Sequence, residues 1–125
     1  MAHGVPGPAD PALSLWRQGL ALFAAGDWHE AHECFEALWR LHGRRSPEGW
    51  LLQALIQLCA AELKRVAGGP AAARLAARAA SHLEGLPDPL LGVRTPELAA
   101  RIRAPGRPVA IPLAGPPVDG TERLV

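Results

Sequence analysis

The sequence predicts an all-α fold: a compact antiparallel bundle of four main helices plus a short fifth, with an extended tail rich in Pro and Gly at the C-terminus. Three observations favour this fold. Apolar residues recur at steps of three and four, which is the spacing of one face of a helix. No stretch of β-branched residues alternates with polar ones. Thirteen Pro and thirteen Gly divide the periodic stretches, which indicates short loops between antiparallel helices.

Helix one has a clear start and a clear end. Residues 1–9 are expected to form a flexible lead-in. Asp10 and Pro11 then begin the helix, because an Asp side chain accepts hydrogen bonds from free amides and Pro fits the first turn. The helix ends at Gly26. Its apolar face is formed by Leu13, Trp16, Leu20 and Phe23.

The next two helices are marked in the same way. Asp27 begins helix two, and Glu30, three residues later, completes an Asp version of the capping box. Helix two ends at Gly43. Ser46 and the following Pro begin helix three, which runs to the Gly pair at 68–69.

Two shorter helices and a tail complete the chain. Pro70 begins helix four, which ends near Gly85, and Thr95 caps helix five, which ends near Arg103. The tail contains five Pro and three Gly, so it is expected to be extended, with the stretch "RPVAIPL" lying along the helical body. The predicted organisation is a lead-in at 1–9, a single helical domain at 10–103 and the tail at 104–125.

Composition excludes several classes of function. A net charge of +1, from 13 Lys+Arg and 12 Asp+Glu, gives no basic surface for nucleic acid or for an anionic membrane. No window reaches the roughly 18 uninterrupted apolar residues of a membrane-spanning helix. No secretion signal is apparent, and two Cys are too few for a disulfide framework. We therefore expect a cytoplasmic protein without nucleic-acid or membrane partners.

The stretch "DWHEAHECFEALWR" is the most unusual part of the chain. On a helical wheel one side is apolar, with Ala31, Cys34, Phe35, Leu38 and Leu41. The opposite side is a polar stripe with a tryptophan at its edge, formed by His29, His32, Glu33, Glu36, Trp39 and Arg40. His32 and Glu36 are four residues apart and can touch, and His29 and Glu33 form a second such pair.

Helix three carries a second polar stripe. The helix is apolar over most of its circumference, which is typical of a buried helix, yet Gln53, Gln57 and Lys64 line up along it. A buried amide without a partner costs about 1–3 kcal/mol. We therefore expect the two stripes to face each other, with Gln57 within reach of His32 and Glu36. The expected binding site or polar network comprises His29, Glu30, His32, Glu33, Glu36, Trp39, Gln53, Gln57 and Lys64.

This cluster has three interpretations. The first is a satisfied hydrogen-bond network between packed helices. The second is a site for a divalent metal, since His and Glu at helical spacing can ligate one; the candidate ligands are His29, His32, Glu33 and Glu36. The third is an acid–base pair formed by His32 and Glu36. The spacing matches neither the zinc-protease helix nor the Glu-x-x-His element of di-iron bundles, so the network is favoured and no cofactor is expected.

Other residues bear on packing and assembly. Cys34 and Cys59 lie on apolar faces, where inert buried thiols are expected. His82, near the end of helix four, is expected to interact with the negative end of the helix dipole. Helix three is apolar over most of its surface, and Leu15 and Leu22 form a second apolar edge on helix one, so apolar surface is expected to be left over. Either pairing into a homodimer or coverage by the C-terminal tail would remove that surface from water.

The residues resemble a known family, domain of unknown function family 309, whose members are small helical proteins of bacteria and archaea. Its motif is an aromatic residue, then Glu-Ala-His-Glu, then Glu and Trp at three-residue steps, and "DWHEAHECFEALWR" is similar to it from Trp28 to Trp39. A Leu-Ile-Gln element in helix three is matched at 55–57. The resemblance covers Leu13 to Arg103, with Ala54 where Gly is usual and "GGP" in place of a Gly-Asn turn. The family has no established activity, so the resemblance implies an all-helical fold and no particular chemistry.

The function we expect is non-catalytic binding or scaffolding through the His/Glu site, with an unidentified protein or small molecule as partner. A similarity of Gly26, Trp28 and Ala31 to the tetratricopeptide hairpin turn favours a protein-binding groove. The alternative is a metal-dependent, hydrolase-like enzyme that uses His32 and Glu36. A deep polar pocket with convergent His and Glu would favour the enzyme, and a shallow apolar groove would favour the binding domain.

Overall fold

A computed structural model describes residues 10–104 and 108–115. Its five helices are α1 (Pro11–Ala24), α2 (Trp28–His42), α3 (Pro47–Ala67), α4 (Ala71–His82) and α5 (Thr95–Arg103). Within these two ranges there is no strand, and isolated bridges join Leu90 to Val93 and Val93 to Leu113. No described helix is long and apolar enough to cross a membrane. The predicted all-α class, with four main helices and a short fifth, is confirmed.

Two of the predicted helix starts form as the local sequence indicates. The Asp10 carboxylate accepts hydrogen bonds from the amides of Ala12 and Leu13, at 3.0 and 3.4 Å. The Ser46 hydroxyl accepts one from the amide of Gly49 at 2.9 Å. Both contacts satisfy amides that the first helical turn leaves free, so they position α1 and α3.

Two other predicted caps are wrong. Asp27 precedes α2 with φ −89° and ψ 67°, and its side chain makes no capping hydrogen bond, so the box with Glu30 is not formed. Thr95 lies inside α5, where Arg94 is the N-cap residue. The Thr95 hydroxyl donates to the carbonyl of Pro87 at 2.8 Å instead, and Thr95 is buried. That contact ties the start of α5 to the loop after α4.

Helix α3 lies at the centre of the bundle. It packs against α2 on one side and against α4 on the other, while α1 packs against α2 and α5 against α4. The helices approach closely at Gly19 on α1, where an added Cβ would lie 2.7 Å from a ring carbon of Phe35. The fully buried large side chains of the core include Phe35, Leu51, Leu52, Leu55, Leu58 and Leu98.

One prediction about apolar surface is wrong, and a second holds only in part. Leu41, assigned to the apolar face of helix two, is 66% exposed, because it lies in the last turn of α2, beyond the core. Leu15 and Leu22, assigned to an uncovered edge, are partly buried against the core. The surface they were expected to leave for a partner or for the tail is therefore already covered in part by the bundle itself.

The described part of the tail lies along the bundle, as predicted for "RPVAIPL". The amide of Arg94 donates to the carbonyl of Pro112 at 2.9 Å, and the amide of Ala114 donates to the carbonyl of Gly92 at 2.7 Å. Pro112 is buried, and Val109 and Ile111 pack against the core. The predicted lead-in at 1–9 and positions 105–107 and 116–125 of the predicted tail lie outside the described residues.

Candidate functional site

The polar stripe of α2 faces solvent for most of its length. His29, Glu30 and Glu33 are exposed, and only His32 and Glu36 are partly buried. The Nδ1 atom of His32 lies 3.9 Å from Oε1 of Glu36. Both side chains keep about a third of their surface in water, at 28% and 32%. At that exposure water competes with the pair, so the contact is a weak one.

Three of the four predicted metal ligands converge. His32, Glu33 and Glu36 each offer a ligand atom, and these atoms lie within 4.8 Å of one another, whereas His29 is outside this group. Three protein ligands with an open fourth position are the pattern of catalytic zinc sites. The nearby Arg40 works against a cation here, since its Nη2 atom lies 3.6 Å from Oε2 of Glu36.

The predicted contact between this stripe and Gln57 is not formed. Oε1 of Gln57 is enclosed without a hydrogen-bond partner among the described residues. The Glu36 carboxylate is instead beside His32 and Arg40 of its own helix. Lys64 is exposed. Hydrogen bonds among the described residues therefore do not join the two polar stripes, and the predicted interhelical network is corrected accordingly.

Trp39 and Gln53 belong to a different surface, at the C-terminal end of α2. They line a shallow cavity of about 610 Å³ with Arg44, Arg45 and Trp50. The Arg44 guanidinium lies 5.3 Å from the centre of the Trp39 ring system, within the range of a cation–π contact. This aromatic and basic surface is separate from the acidic residues of the α2 stripe.

His82, predicted to interact as a cation with the end of α4, is in an environment that favours the neutral imidazole. Its ring packs against the Trp50 ring in a tilted arrangement, with the ring centres 5.1 Å apart and an interplanar angle of 34°. Burial lowers the pKa of His82, and the neighbouring Arg78 lowers it further. Nε2 of His82 is enclosed without a hydrogen-bond partner among the described residues. Burial and the positive charge of Arg78 therefore oppose the predicted interaction of a charged His82 with the helix dipole.

Both cysteines lie in the core, as predicted. Burial raises the pKa of Cys34, and the nearby carboxylates of Glu30 and Glu33 raise it further. Burial, followed by the charge of Glu62, raises the pKa of Cys59 to about 12. A thiolate is the reactive form of cysteine, so neither side chain is suited to nucleophilic or redox chemistry near neutral pH.

Glu62 is the buried charge that the sequence interpretation did not single out. The residue is only 3% exposed. Its Oε1 atom accepts a hydrogen bond from Nε of Arg65 at 2.6 Å, and its Oε2 atom accepts one from the backbone amide of Val109 at 2.7 Å. A sequence signal exists, because an acid on a predominantly apolar helix with Arg three residues later indicates a paired, buried carboxylate.

Beside Glu62 lies a cavity of about 570 Å³, here named the α3–α4 cavity. Its walls come from α3, α4, the end of α5 and the segment at 108–115. Most of the lining is apolar, and the polar lining residues are Glu62, Arg65, Ser81 and Arg103. The apolar lining residues are Leu58, Ala61, Ala72, Ala73, Ala76, Ala77, Ile102, Ala104 and Val109. His32, Glu33 and Glu36 line neither this cavity nor the other two described.

Comparisons with known proteins agree with this architecture. A family model described as Domain of unknown function (DUF309) matches residues 16–75. Among solved structures, the chain is similar to a conserved hypothetical protein from Thermus thermophilus, with 39% sequence identity and a TM-score of 0.60. That similarity covers 70% of this chain and 90% of the other. A search of curated proteins finds no match. The family match includes the α2 stripe and Glu62, and it ends within α4.

Proposed function

The chain belongs to the family described as Domain of unknown function (DUF309). We propose that it is a non-catalytic binding domain whose ligand site is the α3–α4 cavity. The observation that carries this proposal is the cavity itself. Its volume of about 570 Å³ lies in the range of small-molecule sites, which are mostly apolar with a few placed polar groups.

The lining residues favour binding over catalysis. The carboxylate of Glu62 is already engaged on both oxygens by Arg65 and Val109. Ser81 is the hydroxyl-bearing residue of the lining. An activated nucleophile needs a general base, and the lining carboxylate that could serve as one is this same engaged Glu62. The proposed ligand site therefore lies on the other side of α3 from the α2 stripe, where the sequence suggested it.

A binding assay with a filled cavity tests the proposal. The uncharged fluorescent probe N-phenyl-1-naphthylamine should bind saturably to the wild-type protein. Ala76→Leu adds bulk to a lining residue and should weaken binding by about tenfold or more, because overpacking a site commonly costs about 1–3 kcal/mol. Ala21→Leu on the exposed face of α1 is the matched control and should leave binding unchanged. Absence of saturable binding, or equal binding by both variants, would contradict the proposal.

A second candidate is a metal-dependent, hydrolase-like activity at α2, favoured by the convergence of His32, Glu33 and Glu36. Protein purified without a His tag should then bind one equivalent of Zn²⁺ in calorimetry. Glu33→Gln should abolish that binding, while Glu30→Gln, an exposed neighbour outside the group, should preserve it. Equal zinc binding by the two variants, or none by the wild type, would remove this candidate.

A further inference from the structure

Two arginines lie where the α3–α4 cavity meets solvent. Arg65 comes from α3 and Arg103 from α5, and both line the cavity. Their side chains are 37% and 51% exposed. A guanidinium has five N–H donors, and each of these arginines donates one described hydrogen bond, Arg65 to Glu62 and Arg103 to Glu84. Both keep donors for a further acceptor.

Glu62, the carboxylate of the lining, is not available to bind a cationic ligand. Glu62 is buried, and its charge is already balanced by Arg65 at 2.6 Å. Arg103, in contrast, is paired with Glu84, a side chain that is 68% exposed and does not line the cavity. The lining itself therefore carries two guanidinium groups and one carboxylate, and the Glu84 carboxylate that pairs with Arg103 lies outside the cavity in an exposed ion pair, which is weak enough for a ligand carboxylate to compete with it.

The rest of the cavity suits a hydrocarbon chain. Its α4 wall is a run of alanines, and small side chains on that wall leave the space unfilled. Facing it are Leu58 and Ala61 of α3 and Ile102 of α5, all buried. An occupant that covers these walls removes their apolar surface from water, which favours binding in proportion to the area covered.

We propose that the α3–α4 cavity binds an amphipathic anion, an apolar chain that ends in a carboxylate. The chain lies between α3 and α4, and the carboxylate accepts hydrogen bonds from Arg65 and Arg103. This inference rests on the proposed binding function and specifies its ligand class. Guanidinium groups recognise carboxylates through paired N–H donors, which gives the head group both charge and geometry to match.

Calorimetry with ligands of equal chain length tests the head group. Decanoate should bind with a stoichiometry of one. Decanol should bind at least about tenfold more weakly, as expected for loss of a charge-assisted hydrogen bond. Decyltrimethylammonium should not bind. Octanoate should bind roughly fifteenfold more weakly than decanoate, because each methylene contributes about a fourfold change in affinity.

Variants locate the anion. Arg103→Gln removes one of the two guanidinium groups and breaks only an exposed ion pair, so the fold should persist. Decanoate binding should weaken by about tenfold, while decanol binding should stay the same. Arg74→Gln, on an exposed position of α4 outside the lining, is the matched control. Glu84→Gln should preserve decanoate binding, which separates loss of the arginine from loss of its partner.

The outcomes distinguish this inference from the proposed function. Equal affinity for decanoate and decanol, with no effect of Arg103→Gln on either, would overturn the anion site and leave the binding cavity in place. Preferential binding of decyltrimethylammonium would overturn it as well and would assign the head group to Glu62. If neither decanoate nor N-phenyl-1-naphthylamine binds, both proposals fail together.

Discussion

Replacing Glu62 should destabilise the protein and should loosen the segment after α5. The carboxylate accepts hydrogen bonds from Nε of Arg65 at 2.6 Å and from the Val109 amide at 2.7 Å. Hydrogen bonds to a charged group are each worth about 1.5–3 kcal/mol. Burying the charge offsets part of this gain, and Arg65 is 37% exposed, so it is rehydrated when its partner is removed. We expect Glu62→Ala to cost about 2 kcal/mol net.

Urea unfolding and amide exchange measure the two parts of this effect. A loss of about 2 kcal/mol corresponds to a Tm lower by roughly 8 °C for a chain of this size. Glu62→Gln should lose about half as much, since the amide keeps one acceptor oxygen. In exchange experiments, protection of the Val109 amide should be lost, while the Ala114 amide, bonded to the carbonyl of Gly92, should remain protected.

A surface ion pair provides the control. Glu97 is 46% exposed and contacts Arg101 on its own helix and Arg94, the residue just before that helix. Glu97→Ala should therefore change the free energy of unfolding by less than about 1 kcal/mol. If Glu62→Ala costs no more than Glu97→Ala, or if the Val109 amide keeps its protection in Glu62→Ala, the buried carboxylate does not hold the segment and the reasoning is wrong.

Three further predictions follow from burial and exposure. Cys34 and Cys59 should react with a thiol reagent at pH 8 much more slowly in the folded protein than in urea, because burial raises both pKa values; rapid native labelling of either would place it at the surface. The pKa of His82 is lowered in the folded protein, so the unfolded chain binds a proton first as pH falls, and the free energy of unfolding should decrease below about pH 6.5. His82→Gln should make the urea midpoint less dependent on pH between about 7.5 and 5. Val66 on α3 is an exposed apolar side chain, at 63%, at which two copies could pair. In that case light scattering should give about twice 13.2 kDa, and Val66→Lys should return the mass to 13.2 kDa. A wild-type mass of 13.2 kDa would exclude the dimer.

The helices could be predicted from the sequence because their boundaries are set locally. Asp10 and Ser46 each cap a helix through amides two or three residues away. Gly26, Gly43 and Gly68 adopt positive φ angles near helix ends, a conformation that glycine adopts without strain. Such signals depend on a few neighbouring residues, which the sequence displays directly.

The candidate site depended on contacts that are distant in the chain. The polar stripe of α2 was visible by its spacing, but spacing does not fix side-chain direction, and Glu36 lies beside Arg40 on its own helix while Gln57 remains without its predicted partner. Glu62 was visible as an interruption of an apolar helix, with Arg65 three residues later. Its partner, Val109, is 47 residues away in a segment without helical period, so no local pattern joins them.

The contacts of Glu62 connect the stability of the fold to the shape of the proposed site. Val109, whose amide it holds, lines the α3–α4 cavity and also a second cavity bordered by Leu20 and Trp28. Arg65, which it positions, lies 5.9 Å from the centre of the Trp28 ring and lines the α3–α4 cavity. One buried carboxylate thus fixes both a wall of the cavity and the arginine proposed to bind the anion. The Glu62 contacts cost desolvation energy in the free protein, but they keep the site formed for its ligand. A ligand that binds only the folded state in turn stabilises that state by mass action.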